Sequence, residues 1–96
     1  MTFLAELEGI IQDRLTGQQT FSYTHKLVRS GMDRVLRKIG EEASEVIIAG
    51  KNQDKEEILN ESADLLYHLM VMLAAQGLSL TEVTHILKSR HTGATE

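Results

Sequence analysis

Five carboxylates stand at spacings that suit chemistry. Glu41, Glu42 and Glu45 lie within five positions, and Glu61 and Asp64 lie three apart. On a helix, residues three and four apart are neighbours, with Cβ atoms ~5–6 Å apart. Glu42 then pairs with Glu45, and Glu61 with Asp64. Clustered carboxylates suit a hard divalent cation, Mg²⁺ or in its place Mn²⁺. The competing reading is a solvated acidic helix face. Like charges on one face destabilise a helix by ~0.2–0.5 kcal/mol per pair, so a bundle built for stability would interleave lysines. A second acidic pair, leading straight into an apolar segment, favours a site.

Positive charge crowds just ahead of these acids. Arg29, Arg34, Arg37 and Lys38 have Asp33 as the one acid among them. Cations beside a metal site are what a polyphosphate needs, because the metal bridges some phosphate oxygens and Lys or Arg neutralises the rest. The alternative is that these are surface residues or partners for the acids.

Helices must carry both groups. There is no proline, and glycine is the punctuation. Thr2 can cap a first helix whose Phe3, Leu4, Leu7, Ile10, Ile11 and Leu15 have helical spacing and which ends near Thr16 and Gly17. Residues 18–24 read as a loop, and 25–30 as a short helical turn. Ser30 and Asp33 fit a capping box for a second long helix running to about Gly50. Its predicted core face is Leu36, Ile39, Ala43, Val46, Ile47 and Gly50. Gly40 lies inside it at a cost of up to ~1 kcal/mol relative to Ala, which suggests close packing or ligand approach. After a polar connection over 51–55, a third long helix runs from about Asp54 to Gln76, closed by Gly77. Ser79 and Glu82 form a second capping box, with Leu78 and Val83 placed as its staple. The last helix ends near His91, and residues 92–96 read as a frayed, disordered tail.

The expected fold is all-α: a single domain over 1–96, a helical bundle of four to five helices completed by homodimerisation. The short polar link makes the two long helices antiparallel neighbours, which would gather four or five carboxylates into one pocket. The run 65–75 is apolar nearly all round, so it should be buried on every side. A chain this short cannot easily surround it, and a second copy would cover the rest.

Composition removes other classes. The 96 residues carry 10 basic and 14 acidic side chains, a net charge of −4, which argues against nucleic-acid binding. Without cysteine there is no disulfide, thiolate zinc site or cysteine nucleophile. The run 65–75 is too short for a membrane span of ~20 residues. The N-terminal residues lack the basic start of a signal peptide, so a cytoplasmic setting is expected.

The residues also carry a resemblance. The pattern Glu41-Glu42-Ala43-Ser44-Glu45 followed by Glu61-Ser62-Ala63-Asp64 resembles the signature of the all-α, MazG-like nucleoside triphosphate pyrophosphohydrolases. The segments Ser22-Tyr23-Thr24, Lys26-Leu27, the stretch from Asp33 to Ala43, Ala49 with Lys51-Asn52, and the stretch from Glu61 to Leu69 are similar to the phosphoribosyl-ATP pyrophosphohydrolase family. The similarity runs from about Phe3 to His91. It implies Mg²⁺-dependent cleavage of 1-(5-phosphoribosyl)-ATP to 1-(5-phosphoribosyl)-AMP and pyrophosphate in histidine biosynthesis, by a homodimer or higher homo-oligomer. Some members are fused to a cyclohydrolase, and the resemblance implies the monofunctional form here. It further implies Glu42, Glu45, Glu61 and Asp64 as metal ligands. Glu41 is either a ligand or the base that orients water, giving a catalytic set of Glu41, Glu42 and Glu45. Lys38 and Arg34 are expected on the triphosphate, and Tyr23, Thr24 and Lys26 on a loop closing over substrate.

Other polar residues have weaker readings. His68, one turn after Asp64, can orient a carboxylate, contact substrate or sit hydrogen-bonded in the core. Glu82 and His85 match one half of a di-iron motif whose second half is missing. Met70 and Met72 read as core. Two further functions compete: a housekeeping pyrophosphohydrolase acting on other nucleotides, and a non-enzymatic acidic bundle that dimerises.

Overall fold

The computed structural model describes residues 2–16 and 22–92. Five helices occupy them: α1 (Phe3–Thr16), α2 (Tyr23–Arg29), α3 (Met32–Lys51), α4 (Lys55–Ala75) and α5 (Leu80–His91). Among the described residues there is no strand, so the all-α expectation holds. Residues 18–21 of the expected loop and 93–96 of the expected tail lie outside the described residues.

Local chemistry sets most helix ends. Thr2 Oγ1 accepts from the Ala5 N–H at 3.3 Å and starts α1. Asp54 caps α4 by accepting from Glu57 N–H at 3.2 Å, and Gly77, with φ 74°, supplies the left-handed residue after α4. The capping box of α5 forms in both directions between Ser79 and Glu82.

Two boundaries differ from the sequence reading. The short helix begins at Tyr23 rather than at residue 25, because Ser22 accepts from His25 N–H at 3.0 Å and caps it there. Ser30 is not the cap of α3. Its hydroxyl donates to the Leu27 carbonyl at 2.7 Å and finishes α2, so the N-cap of α3 falls on Gly31, whose φ of 110° suits glycine.

The core face of α3 also differs. Its buried residues are Val35, Glu42 and Ala49, seven apart, with Ile39 and Val46 half-buried between them. Leu36 and Ile47, assigned to the core by periodicity, are exposed. The stripe that enters the protein carries a carboxylate at its midpoint, a polar interruption that breaks its apolar periodicity. An added Cβ at Gly40 would meet nothing within 4 Å among the described residues, so no close packing there explains that glycine.

The long helices α3 and α4 pack along their length, joined by residues 52–54. Helix α1 lies on α4 and α2, and α2 closes onto α3. The core is Ile11, Leu27, Val35, Met70 and Val71, with Leu7, Val28, Ile39 and Tyr67 among the residues packed around it. The run 65–75 is therefore covered by its own chain more fully than its composition suggested, and within it Leu66 is the exposed large side chain. Apolar surface stays uncovered elsewhere. Ile47 is 70% exposed and Leu59 71%, and α5 contains no buried residue. The radius of gyration is 15.1 Å, against ~12–13 Å for a compact chain of this length.

A hydrogen bond joins the start of α5 to α1, where Leu80 also packs against the core. Glu8 Oε2 on α1 accepts from the Leu80 N–H at 2.5 Å, at the first turn of α5, where a negative charge also meets the positive end of the helix dipole. Glu8→Ala is expected to lower stability by about 1 kcal/mol, the usual worth of a cap, with Glu8→Gln losing less because an acceptor oxygen remains. Urea unfolding of the three proteins measures this; equal midpoints for Glu8→Ala and wild type would remove the strut.

Candidate active site

The α3–α4 hairpin creates the site. Glu45 and Glu61 are equally far along the chain from Gln53 at the turn, so the antiparallel register sets them opposite each other. Hydrogen bonding to Glu45 when a proton is held between the carboxyls, burial, and the negative charges of Glu45, Asp64 and Glu57 push the Glu61 carboxyl up to about 7. Glu61 Oε2 is buried without a hydrogen-bond partner. A cleft of about 360 Å³ opens beside the pair, lined by Glu45, Asn52, Asp54, Glu57 and Glu61 together with Ile48 and Ala49.

One turn earlier on α3, Glu42 is only 6% exposed, and it meets His68, 5% exposed, on α4. Glu42 Oε1 lies 2.6 Å from His68 Nδ1. The ring N–H at Nδ1 is directed instead at the Asp64 carbonyl, 2.9 Å away, and Oε1 accepts no aligned hydrogen bond. With its proton on Nδ1, His68 accepts at Nε2 from the Tyr23 hydroxyl at 2.7 Å. Burial, more than any other influence, raises the Tyr23 phenol above its ordinary value, which keeps this donor protonated. The next residue repeats the pattern: Thr24 Oγ1 hydrogen-bonds the Tyr67 hydroxyl. Consecutive residues of α2 are thus pinned to consecutive residues of α4, and the Tyr23 and Tyr67 rings both stand edge-on to His68.

Positive charge borders this network. Tyr23, Lys26, Leu27, Arg34 and Lys38 line a crevice of about 360 Å³ between α2 and α3. Arg34 and Lys38 face a further cavity of about 550 Å³ with Ser30, Asp33, Arg37 and Glu41. Tyr23 feels Lys38, Arg34 and Glu42 at once, so the crevice and the buried carboxylate lie within electrostatic range of each other.

The sequence-predicted residues divide accordingly. Glu45 and Glu61 come together. Glu42 is beside His68, and the Asp64 side chain is exposed, with its charge felt at Glu61. Glu41 turns away into the second basic cavity. Among the described residues no three His, Asp or Glu side chains converge as a ready-made ion cage, so the single pocket of four or five acids expected from the spacing is instead two pairs. Tyr23, Lys26, Arg34 and Lys38 do share one crevice, whereas Thr24 is fully buried and serves packing. His68 is enclosed and holds groups in place rather than facing the crevice. Glu57 was missed. Its signal was the spacing of 57, 61 and 64, which is i, i+4 and i+7 on one helix face.

The donors fit a divalent cation. Glu42 Oε1 and Glu61 Oε2, buried without an aligned hydrogen bond, and the opposed Glu45–Glu61 pair are hard oxygen donors. An all-α chain with such acids in its central hairpin, flanked by a cationic crevice, has the makeup of a metal-assisted phosphate-handling protein.

Comparison with known proteins narrows the class. Residues 4–91 match the family described as phosphoribosyl-ATP pyrophosphohydrolase. The chain is 47% identical over 92 residues to a phosphoribosyl-ATP pyrophosphatase of Leptospira biflexa, covering 96% of this chain and 100% of that protein. A phosphoribosyl-ATP pyrophosphatase of Metallosphaera sedula is 47% identical over 87 residues, 91% of this chain and 94% of that one. The histidine biosynthesis bifunctional protein HisIE of Bacillus subtilis is 53% identical over 87 residues, and the match spans 91% of this chain but 42% of that protein. The chain belongs to the phosphoribosyl-ATP pyrophosphohydrolase family.

The Glu45–Glu61 pair has a consequence for stability. Glu61 holds its proton more tightly folded, at about 7, than at its ordinary 4.5. Its contribution is therefore complete below about pH 4.5 and is lost as pH rises through 7. In EDTA the melting temperature should fall between pH 5 and 8, and Glu61→Gln should flatten that fall. An unchanged slope in the variant would show that the two carboxyls do not share a proton.

Proposed function

We propose that this chain hydrolyses 1-(5-phosphoribosyl)-ATP to 1-(5-phosphoribosyl)-AMP and pyrophosphate, the histidine-biosynthetic step its family is named for. The observation that carries the reading is the opposed Glu45–Glu61 pair with a cationic crevice nearby, in a chain whose family match spans residues 4–91. Glu42, Glu45, Glu61 and Asp64 would hold Mg²⁺, with Mn²⁺ as substitute. When bound, the metal supplies positive charge to phosphate oxygens and polarises water.

The chain's own residues do the rest. Lys38, Arg34 and Lys26 bind the triphosphate from the crevice and neutralise the charge that gathers on pyrophosphate as it leaves. His68 lies against the buried Glu42 carboxylate, and Tyr23 fixes the ring by donating to Nε2. A carboxylate of the cluster orients water and accepts its proton as the new oxygen–phosphorus bond forms and the bond to the bridging oxygen breaks. Glu45, exposed at the cleft, is favoured for this over Glu41, which faces the other cavity. No covalent enzyme intermediate is required.

A second copy completes the particle. Ile47 and Ile48 on α3, Leu59 and Leu66 on α4 and Ile86 and Leu87 on α5 are exposed apolar residues that support a homodimer. No single helix among the described residues is long and apolar enough to cross a membrane. The proposed reaction places the chain in the cytoplasm, without nucleic-acid or membrane partners.

Two experiments test this. Purified protein incubated with phosphoribosyl-ATP and Mg²⁺ should release pyrophosphate, and Glu45→Gln should lower that rate by about 100-fold or more, since even residues behind metal ligands are worth 10–100-fold. Preference for ATP or dUTP over phosphoribosyl-ATP would instead indicate a housekeeping enzyme, and near wild-type turnover by a folded Glu45→Gln would sink the carboxylate assignment. In sedimentation the wild type should run as a dimer or larger, and Leu66→Asp should shift it towards monomer, because a buried unpaired charge is strongly destabilising. A well-folded wild-type monomer would defeat the dimer.

A further inference from the structure

The substrate proposed above has an unusual charge layout. An ordinary nucleoside triphosphate carries its negative charge at one end. Phosphoribosyl-ATP carries a triphosphate at one end and, on the added pentose, a separate 5-phosphate. A protein that singles it out needs a second anion seat and acceptors for pentose hydroxyls.

The cationic wall of this chain has two sides. Arg34 and Lys38 are the residues common to both basic cavities. On one side, the α2–α3 crevice contains Tyr23, which reaches Glu42 through His68 in two short contacts of 2.7 Å and 2.6 Å. That crevice is therefore coupled to the acids and suits the phosphates undergoing cleavage. On the other side, the larger cavity is built on α3 around Arg37, with Asp33 and Glu41 on its walls. Positions 33, 34, 37, 38 and 41 recur at three- and four-residue steps of α3 and share one surface of it, with Ser30 of the α2 end beside them. Among the described residues Arg34, Arg37 and Lys38 form no ion pair. Three cations within five positions outnumber the two acids of this cavity and leave it net positive.

The two acids in this cavity specify the class of ligand. Asp33 and Glu41 accept hydrogen bonds from vicinal hydroxyls, which a pentose presents next to its phosphate and a bare phosphate lacks. Arg37, with a planar fork of donors, suits the phosphate itself. Resting on the function proposed above, we infer that the Arg37 cavity seats the pentose 5-phosphate and that Arg37 is a specificity-determining residue of this chain. This also accounts for Glu41, which the fold separates from the other acids of its motif.

The test uses the full chain and three measurements. Arg37→Gln should raise KM for phosphoribosyl-ATP by about 10- to 100-fold, the worth of a charged hydrogen bond, while kcat changes far less. Arg37→Lys, keeping the charge but not the fork, should recover part of the loss. Ribose 5-phosphate, titrated calorimetrically and used as an inhibitor, should bind wild type and bind Arg37→Gln at least about tenfold more weakly, whereas pyrophosphate should inhibit both to a similar extent. Wild-type KM in a folded Arg37→Gln would overturn the inference. So would an equal loss of ribose 5-phosphate and pyrophosphate binding, which would make the two cavities one seat. Arg37-dependent binding of ribose 5-phosphate in a chain that turns over no phosphoribosyl-ATP would uphold the seat and overturn the proposed reaction instead.

Discussion

The structure turns on a buried carboxylate. Glu42 occupies the middle of the one stripe of α3 that enters the protein, flanked at seven-residue steps by Val35 and Ala49. A carboxylate there is costly unless its surroundings compensate it. His68 lies against it, but that ring's N–H is already directed at the Asp64 carbonyl, so compensation is incomplete. An apolar residue at this position would pack better. That cost falls within the α3–α4 packing, and the apolar core of Val35, Met70 and Val71 offsets it.

The rest of the architecture can be understood as support for that hairpin. Helix α2 is only seven residues long and could not persist alone. It is held by hydrogen bonds from Tyr23 and Thr24 to His68 and Tyr67, and by the buried Leu27. The same Tyr23 that pins α2 also lines the cationic crevice, so the contact that orders this helix positions the crevice relative to the acids. Stability and site geometry are carried by the same hydrogen bonds.

Charge is zoned along α3. Its first turns carry Arg34, Arg37 and Lys38, and its middle carries Glu41, Glu42 and Glu45. Within each zone like charges repel. Between zones the potential changes sign over about two turns, ~10 Å, which is the scale of a metal-bound polyphosphate. Helix periodicity then distributes each zone around the helix axis. Glu42 goes inward, Glu45 goes to the acidic cleft, and Glu41 goes to the outer basic cavity.

Much of this was legible in the residues. Thr2, Asp54, Ser79 with Glu82, and Gly77 announced helix ends, because capping is a matter of hydrogen bonds within three or four positions. The spacing of the acids paired Glu42 with Glu45 and Glu61 with Asp64 along each helix and made the two helices antiparallel neighbours, whereas the opposition of Glu45 to Glu61 was set by the register of the folded hairpin. Other features depended on packing between distant segments. Tyr23 and His68 are 45 positions apart, and no local pattern marks their bond. Ser30 satisfies both a helix-start and a helix-end pattern, and the fold assigns it to the end of α2. The core stripe of α3 was misread because burial of a charge is decided by what lies across the interface. Local sequence thus specified where helices begin, where they end and which chemistry they carry. Which faces met, which carboxylate was buried and which cations were left unpaired followed from three-dimensional packing, because those outcomes depend on partners that sequence distance does not reveal.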